Sequence, residues 1–195
     1  MTSVIEPLKP GDSSDEQVNQ LLTDARSGWW NDSAMFGELA HQPALLKAIV
    51  GVFESFFAAG RIPAYVLELM RLKTGELNRC GYSSTVRTGG IRDVVAPKEE
   101  AIFGRIDAAK LTRKEYLAVK LAEYVAADPN EIPESFYQEL KAEYSQEEVV
   151  ELIFACSVFN LGNKFSIAMR LDTDEDSNYP HDIKYPADDI RPKSN

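Results

Sequence analysis

The sequence predicts an all-α protein, a helical bundle that forms a single domain within 195 residues. Apolar residues recur every three or four positions in several segments, which is the spacing of one helix face. Two S/T-x-x-E sequences mark helix starts, and the apolar–polar alternation of strands is almost absent. A chain of this length buries roughly 70% of its unfolded surface, so it needs neither disulfides nor a structural metal.

The N-terminal segment predicts an arm followed by a helix. Residues 1–12 are polar and contain proline and glycine, which favours an arm. Ser13 or Ser14 then precedes two acidic residues, which suit the first turn of a helix because they complement its dipole. This helix runs toward Gly28. We expect the helical domain to cover residues 13–171.

Two prolines mark the next helix starts. Pro43 stands at a first-turn position, and the apolar residues after it keep a spacing of three and four until Gly60 ends the helix. Pro63 opens another helix, in which Glu68 stands among apolar residues. That helix leads directly to Cys80, so a polar cluster is expected where it ends.

The following segment predicts a loop and then two further helices. Residues 87–101 are broken by glycines and return to helix near Pro97. Thr112 begins a capping box, in which side chains satisfy the free N–H groups of a helix start, and its helix ends near Ala127. Pro133 opens a short helix after it.

The sequence of the C-terminal part predicts one long helix followed by a tail. Ser145 begins the second capping box, and its helix continues to about Arg170. Residues 172–195 are acidic, contain three prolines and show no periodicity. We expect them to form an acidic tail exposed to solvent.

Composition excludes several function classes. The net charge is 21 − 31 = −10, and no basic run suits nucleic acid or a membrane surface, so we expect neither as a partner. Cys80 and Cys156 form no C-x-x-C pair, which favours a reducing, cytoplasmic location. Two histidines are too few for a clustered metal site, and no phosphate-binding loop is present, so we expect no metal and no cofactor.

The candidate site surrounds Cys80. In a helix that starts there, Ser83 and Ser84 lie one turn on and Arg87 two turns on, so thiol, hydroxyl and guanidinium share a face. Glu68 on the preceding helix can meet this face if the two helices pack together. The sequence therefore predicts that the catalytic residues are Glu68, Cys80, Ser83 and Arg87.

These residues resemble a known motif. The pattern E-x11-C-x-x-C-x3-H marks the alkylhydroperoxidase D-like (AhpD-like) branch of the carboxymuconolactone decarboxylase superfamily. Here Glu68 and Cys80 keep their places, whereas Ser83 replaces the second cysteine and Arg87 the histidine. The resemblance extends over residues 35–171, including Asn160 and Asn163 on the last helix.

The resemblance implies a helical bundle that assembles into homo-oligomers, with a site near a subunit interface for a small-molecule substrate. In the redox branch two thiols reduce a peroxide and close a disulfide, while the glutamate and the histidine move protons. Ser83 cannot form a disulfide, and Arg87 stays protonated near neutral pH. Dithiol peroxide chemistry is therefore not expected.

Three hypotheses for the function follow. The first is a non-redox enzyme of lyase or isomerase type, acting on a small organic acid or lactone, with Glu68 as acid–base group and Arg87 as carboxylate clamp. The second is a single-cysteine peroxidase, in which Arg87 lowers the pKa of Cys80. The third is a non-catalytic oligomer with a vestigial site, held by a Glu68–Arg87 ion pair.

The second cysteine has two interpretations. Cys156 falls in register with the apolar residues of the long helix, which favours a core cysteine. The alternative is that it resolves an oxidised Cys80 through a long-range disulfide.

Overall fold

The computed structural model describes residues 3–187, which contain nine α-helices and no β-strand. The α-helices are α1 (Glu16–Asp24), α2 (Ala34–Leu39), α3 (Pro43–Phe53), α4 (Ala64–Leu77), α5 (Gly81–Thr85), α6 (Arg92–Ile102), α7 (Arg113–Ala127), α8 (Glu134–Glu143) and α9 (Gln146–Met169). Short π-helical turns extend α1 over Ala25–Trp29 and α3 over Glu54–Ala58. The predicted all-α class is confirmed.

Local capping signals fix several helix starts. Thr112 and Ser145 each accept a hydrogen bond from the backbone N–H three residues on, and both capping boxes are complete. Pro43 opens α3, and Pro63 and Pro133 are the N-caps of α4 and α8. These helix starts agree with the sequence prediction because each depends on residues within one turn.

Two predicted starts need correction. Asp15, rather than Ser13 or Ser14, caps α1, because its carboxylate accepts from two free backbone N–H groups of the first turn. Helix α6 begins at Arg92 rather than near Pro97, which lies inside it. Pro97 is the sixth residue of α6, and because it has no N–H the helix lacks one backbone hydrogen bond there.

Helix α4 lies at the centre of the fold. It packs against α6, α7 and α9, and every residue from Val66 to Gly75 is buried. Its polar side chains therefore lie away from water and require partners inside the protein. This central position is what places Glu68 in the interior.

The segment after α9 is folded onto the domain over residues 172–187, which differs from the expected solvent-exposed tail. The Asp174 carboxylate accepts hydrogen bonds from the N–H and hydroxyl of Ser33, both at 2.7 Å. The hydroxyl of Tyr179 bonds to the backbone of Arg87. Hydrogen bonds that depend on tertiary contact give no periodic signal in the sequence. The remaining tail residues, 188–195, lie outside the described part.

Helix α9 is apolar enough to be considered as a membrane span. Among the described helices it alone has the length and composition for one, and 44% of its most apolar window is buried inside the fold. A core helix of a globular domain passes the same test, so this feature is a weak argument for a membrane.

Candidate functional site

The site lies where α4 turns into α5. Cys80 is the extended N-cap residue of α5, which comprises a single turn, and Val86 is already extended. Arg87 therefore does not continue the face that carries Ser83. The predicted two-turn helix face is wrong in its second turn.

Glu68 is fully buried and its carboxylate is saturated with donors. Arg71 donates to both oxygens at 2.7 Å, through Nε and Nη2. Thr88 donates its N–H to Oε1 at 3.0 Å and its hydroxyl to Oε2 at 2.6 Å. Although burial alone raises a carboxyl pKa, these four hydrogen bonds and the guanidinium hold the pKa of Glu68 below its ordinary value.

Arg71 belongs to this cluster and was not among the residues predicted from the sequence. Besides Glu68, its guanidinium donates to the carbonyl of Ser83 at 2.8 Å and to that of Val86 at 2.6 Å. It thus joins α4 to the middle of α5 and to its C-cap residue, Val86. Its place three residues after Glu68, on one helix face, was the available signal.

Arg87 is directed away from this cluster. Its Nε and Nη2 donate to the two carboxylate oxygens of Glu99 on α6, at 2.8 and 3.0 Å. Its Nη1 donates to the carbonyl of Ser84 at 2.6 Å. The hypothesis of a Glu68–Arg87 pair is therefore wrong, since each residue has a different partner.

Cys80 and Ser83 are adjacent and buried. The Cys80 thiol donates to the Ser83 hydroxyl oxygen at 3.2 Å, and Asn163 of α9 donates its amide to the same oxygen at 2.8 Å. Burial raises the pKa of Cys80, and the nearby cation that partly offsets it is Arg71. The expected lowering of this pKa by Arg87 is therefore wrong.

Cys156 lies in the core of α9. Both cysteines are free and buried, and burial raises the pKa of the Cys156 thiol far above its ordinary value. These observations agree with the interpretation of Cys156 as a core cysteine, and no disulfide links it to Cys80.

A small cavity, here called the inner cavity, adjoins Ser83. Its volume is about 30 Å³, which is room for one or two water-sized groups. The wall is mostly apolar, with polar groups from Arg71, Ser83 and Asn163, and Trp30 closes one side. Cys80 is not part of this wall.

A second and larger cavity, the outer cavity, also has Trp30 in its lining. Its volume is about 210 Å³. Its lining includes Gly28, Trp30, Phe57, Ala58, Ala64 and Thr88. Thr88 donates to Glu68, so the outer cavity adjoins the Glu68–Arg71 cluster through Thr88, while Arg71 itself lines the inner cavity.

The sequence comparisons find a distant relative. No family model matches the chain. The Bacillus subtilis (strain 168) protein YdfG, itself uncharacterized, is 22% identical over 105 residues, which are 52% of this chain and 71% of that protein.

The structure comparisons identify the fold. A variant of the debrominase Bmp8 in complex with 2,3,4-tribromopyrrole has a TM-score of 0.71 at 18% identity, covering 90% of this chain and 94% of Bmp8. A peroxidase-related protein with an AhpD core, from Ralstonia eutropha JMP134, has a TM-score of 0.66 at 15% identity, covering 83% and 87%. The chain therefore has the AhpD-like fold of the superfamily that its motif resembles.

Proposed function

We propose that this chain is a non-redox enzyme of lyase or isomerase type, which acts on a small organic acid or lactone whose carboxylate or carbonyl oxygen enters the inner cavity. The proposal depends on which polar groups line the inner cavity. A guanidinium and a hydroxyl, from Arg71 and Ser83, lie there, whereas both thiols are buried and keep their protons.

Arg71 and Ser83 are the groups for substrate binding. Four of the five N–H groups of Arg71 are engaged, by Glu68, Ser83 and Val86, which leaves one on Nη1. The Ser83 oxygen accepts two hydrogen bonds, so its own O–H is available as a donor. Two such donors can stabilise the negative charge that develops on a carboxylate, carbonyl or enolate oxygen.

The remaining residues of the predicted site take supporting roles. The four donors on Glu68 leave it little capacity to accept a proton, so we assign it the positioning of Arg71 rather than acid–base catalysis. Cys80 orients the Ser83 hydroxyl. Arg87 ties the end of α5 to Glu99 and is not assigned contact with substrate.

The two other hypotheses are less well supported. A single-cysteine peroxidase needs an accessible thiolate, and the buried Cys80 has a raised pKa and lies off the cavity wall. A vestigial site was expected to be held by a Glu68–Arg87 ion pair, and Arg87 is paired with Glu99 instead. The complex of Bmp8 with a small brominated ring favours a small-molecule substrate for proteins of this fold.

A homo-oligomer is part of the proposal. Val150, Phe154 and Leu161 on α9 are 69%, 48% and 55% exposed, and their spacing of four and seven places them on one helix face. The same helix contributes Asn163 to the inner cavity from another face. A second copy that covers this stripe would bury it, and a cytoplasmic location remains our expectation.

Turnover of small lactones and keto acids by two serine variants tests the proposal. Ser83→Ala removes one donor to the developing charge, so kcat should fall by about 10²-fold or more. Ser84→Ala is the matched control, because the Ser84 hydroxyl is buried without a hydrogen-bond partner among the described residues and is not on the cavity wall. Equal turnover by Ser83→Ala and the unaltered protein, or no turnover of any compound, would overturn it.

A further inference from the structure

We infer that the outer cavity is a second ligand site, for a neutral ring-sized molecule that carries one O–H or N–H group. This inference goes beyond the proposed function, because it makes no use of the donors in the inner cavity. It depends on the size of the outer cavity, its apolar wall and the hydrogen bonding of Thr88.

The size suits a single ring. A cavity of about 150 Å³ lined by apolar side chains is large enough to bind benzene. The outer cavity is partly open to solvent, and its volume of about 210 Å³ leaves room for one ring with a substituent. Its wall includes Trp30 and Phe57, whose aromatic faces can stack on a planar ring.

The chemistry of Thr88 selects the substituent. Its hydroxyl hydrogen is committed to Glu68 Oε2 at 2.6 Å, and its backbone N–H to Oε1 at 3.0 Å. The hydroxyl oxygen can then act only as an acceptor toward a ligand. A ligand that donates an O–H or N–H is satisfied there, whereas one that offers only an acceptor is not.

Charge argues for a neutral ligand. Glu68 and Arg71 neutralise each other behind Thr88, and the other lining residues named above carry no charge. An ion in this wall would lose its hydration without gaining a partner. The outer cavity thus differs from the inner one, which offers an N–H of Arg71.

Direct titration with three ring probes tests the inference. Phenol carries the required O–H, anisole carries only an acceptor and toluene carries neither. We expect millimolar, saturable binding of phenol by ligand-observed NMR, with anisole and toluene about five-fold weaker because they lack one hydrogen bond. Equal affinity for toluene and phenol would overturn the role of Thr88.

Two filling variants locate the site. Ala58→Leu and Ala64→Leu lie on different segments of the wall, and either should weaken phenol binding at least about ten-fold. Ala44→Leu, on the exposed face of α3, is the matched control and should bind phenol normally, as should Ser83→Ala in the inner cavity. Circular dichroism verifies that each variant is folded. If one filling variant does not fold, the phenol affinity of the other still tests the site. Unchanged phenol affinity in a folded filling variant, or its loss in Ser83→Ala, would overturn the inference.

Discussion

Two buried glutamates in this fold have opposite surroundings. Glu68 on α4 is 1% exposed, and Glu38 on α2 is 5% exposed. The first carboxylate accepts four hydrogen bonds, two of them from a guanidinium, whereas neither oxygen of the second has a partner among residues 3–187. The pKa of Glu68 is accordingly lowered, while burial raises that of Glu38 to about 7.

The difference shows that donors, rather than burial, decide the charge of an interior carboxyl here. Glu68 stays ionised at neutral pH and stabilises the cation that faces the inner cavity. Glu38 keeps its proton in weakly acidic solution, because burial outweighs the contribution of the Ser3 hydroxyl, which stabilises its charge. The hydrogen-bonded Glu68–Arg71 pair therefore stabilises α4. Ionisation of Glu38 on α2, in contrast, destabilises the folded protein above about pH 7.

The largest effect is expected when the cluster is broken at Arg71. Arg71→Ala leaves Glu68 buried with no cation, so the free energy of unfolding should fall by about 3–5 kcal/mol at pH 7 in urea titrations. Part of this loss should disappear in acid, since protonation of Glu68 removes its uncompensated charge.

The control for that variant is an exposed ion pair. Arg113 pairs with Glu139 where both side chains are about half exposed. Arg113→Ala should therefore cost no more than about 1 kcal/mol. Similar losses for the two arginine variants would contradict the comparison.

A smaller effect of opposite sign is expected at Glu38. Between about pH 4.3 and about 7 the folded protein retains a proton that the unfolded chain releases, so stability falls as the pH rises through this window. Glu38→Gln removes that dependence. At pH 8 it should raise the free energy of unfolding by about 2–3 kcal/mol, with little change at pH 4.

The control for Glu38→Gln is the exposed residue Glu143 at the end of α8. Glu143→Gln should leave the free energy of unfolding within about 0.5 kcal/mol at both pH values. Loss of stability in Glu38→Gln at pH 8 would mean that the Glu38 carboxylate has a partner.

The smallest effect concerns a third carboxyl, Asp32, whose surroundings are intermediate. Its pKa is raised, mainly by burial and also by the nearby charge of Asp174, although the Tyr82 hydroxyl donates to it at 2.6 Å. Tyr82→Phe removes one of several hydrogen bonds, so thermal unfolding should show a loss of about 1–2 kcal/mol. If Tyr82→Phe lowered the free energy of unfolding as much as Arg71→Ala, stability would not depend on the number and charge of the donors to each carboxyl.

Local signals made much of the fold predictable. The capping boxes at Thr112 and Ser145 and the proline at 43 each act within one helical turn, and the structure agrees with them. Helix α4 gave weaker guidance about Arg71: its spacing of three from Glu68 was available, but ten consecutive buried residues carry no amphipathic pattern. The other partners of Arg71 come from α5 and its C-cap residue, which no spacing rule connects to it.

The error at Arg87 has a local cause that the sequence contains. The prediction required two helical turns after Cys80, but Ser83, Ser84, Thr85 and Val86 are all weak helix formers, and the last two are β-branched. Helix α5 ends at Thr85, so Arg87 turns toward Glu99. The folding of residues 172–187 onto the domain depends on distant partners such as Ser33, which the sequence does not indicate.

The most direct test of the central claim, that this site performs no thiol redox chemistry, compares the unaltered protein with Ser83→Cys under dilute hydrogen peroxide. Sγ of Cys80 lies 3.2 Å from Oγ of Ser83, so a thiol at position 83 is within reach of a disulfide after a small shift. In that variant the two thiols should lose two electrons and two protons to the peroxide, giving a disulfide and two waters, seen by mass spectrometry as a loss of two hydrogens. The unaltered protein should show neither peroxide consumption nor a trapped sulfenic acid at Cys80. Rapid formation of that sulfenic acid in the unaltered protein would contradict the account.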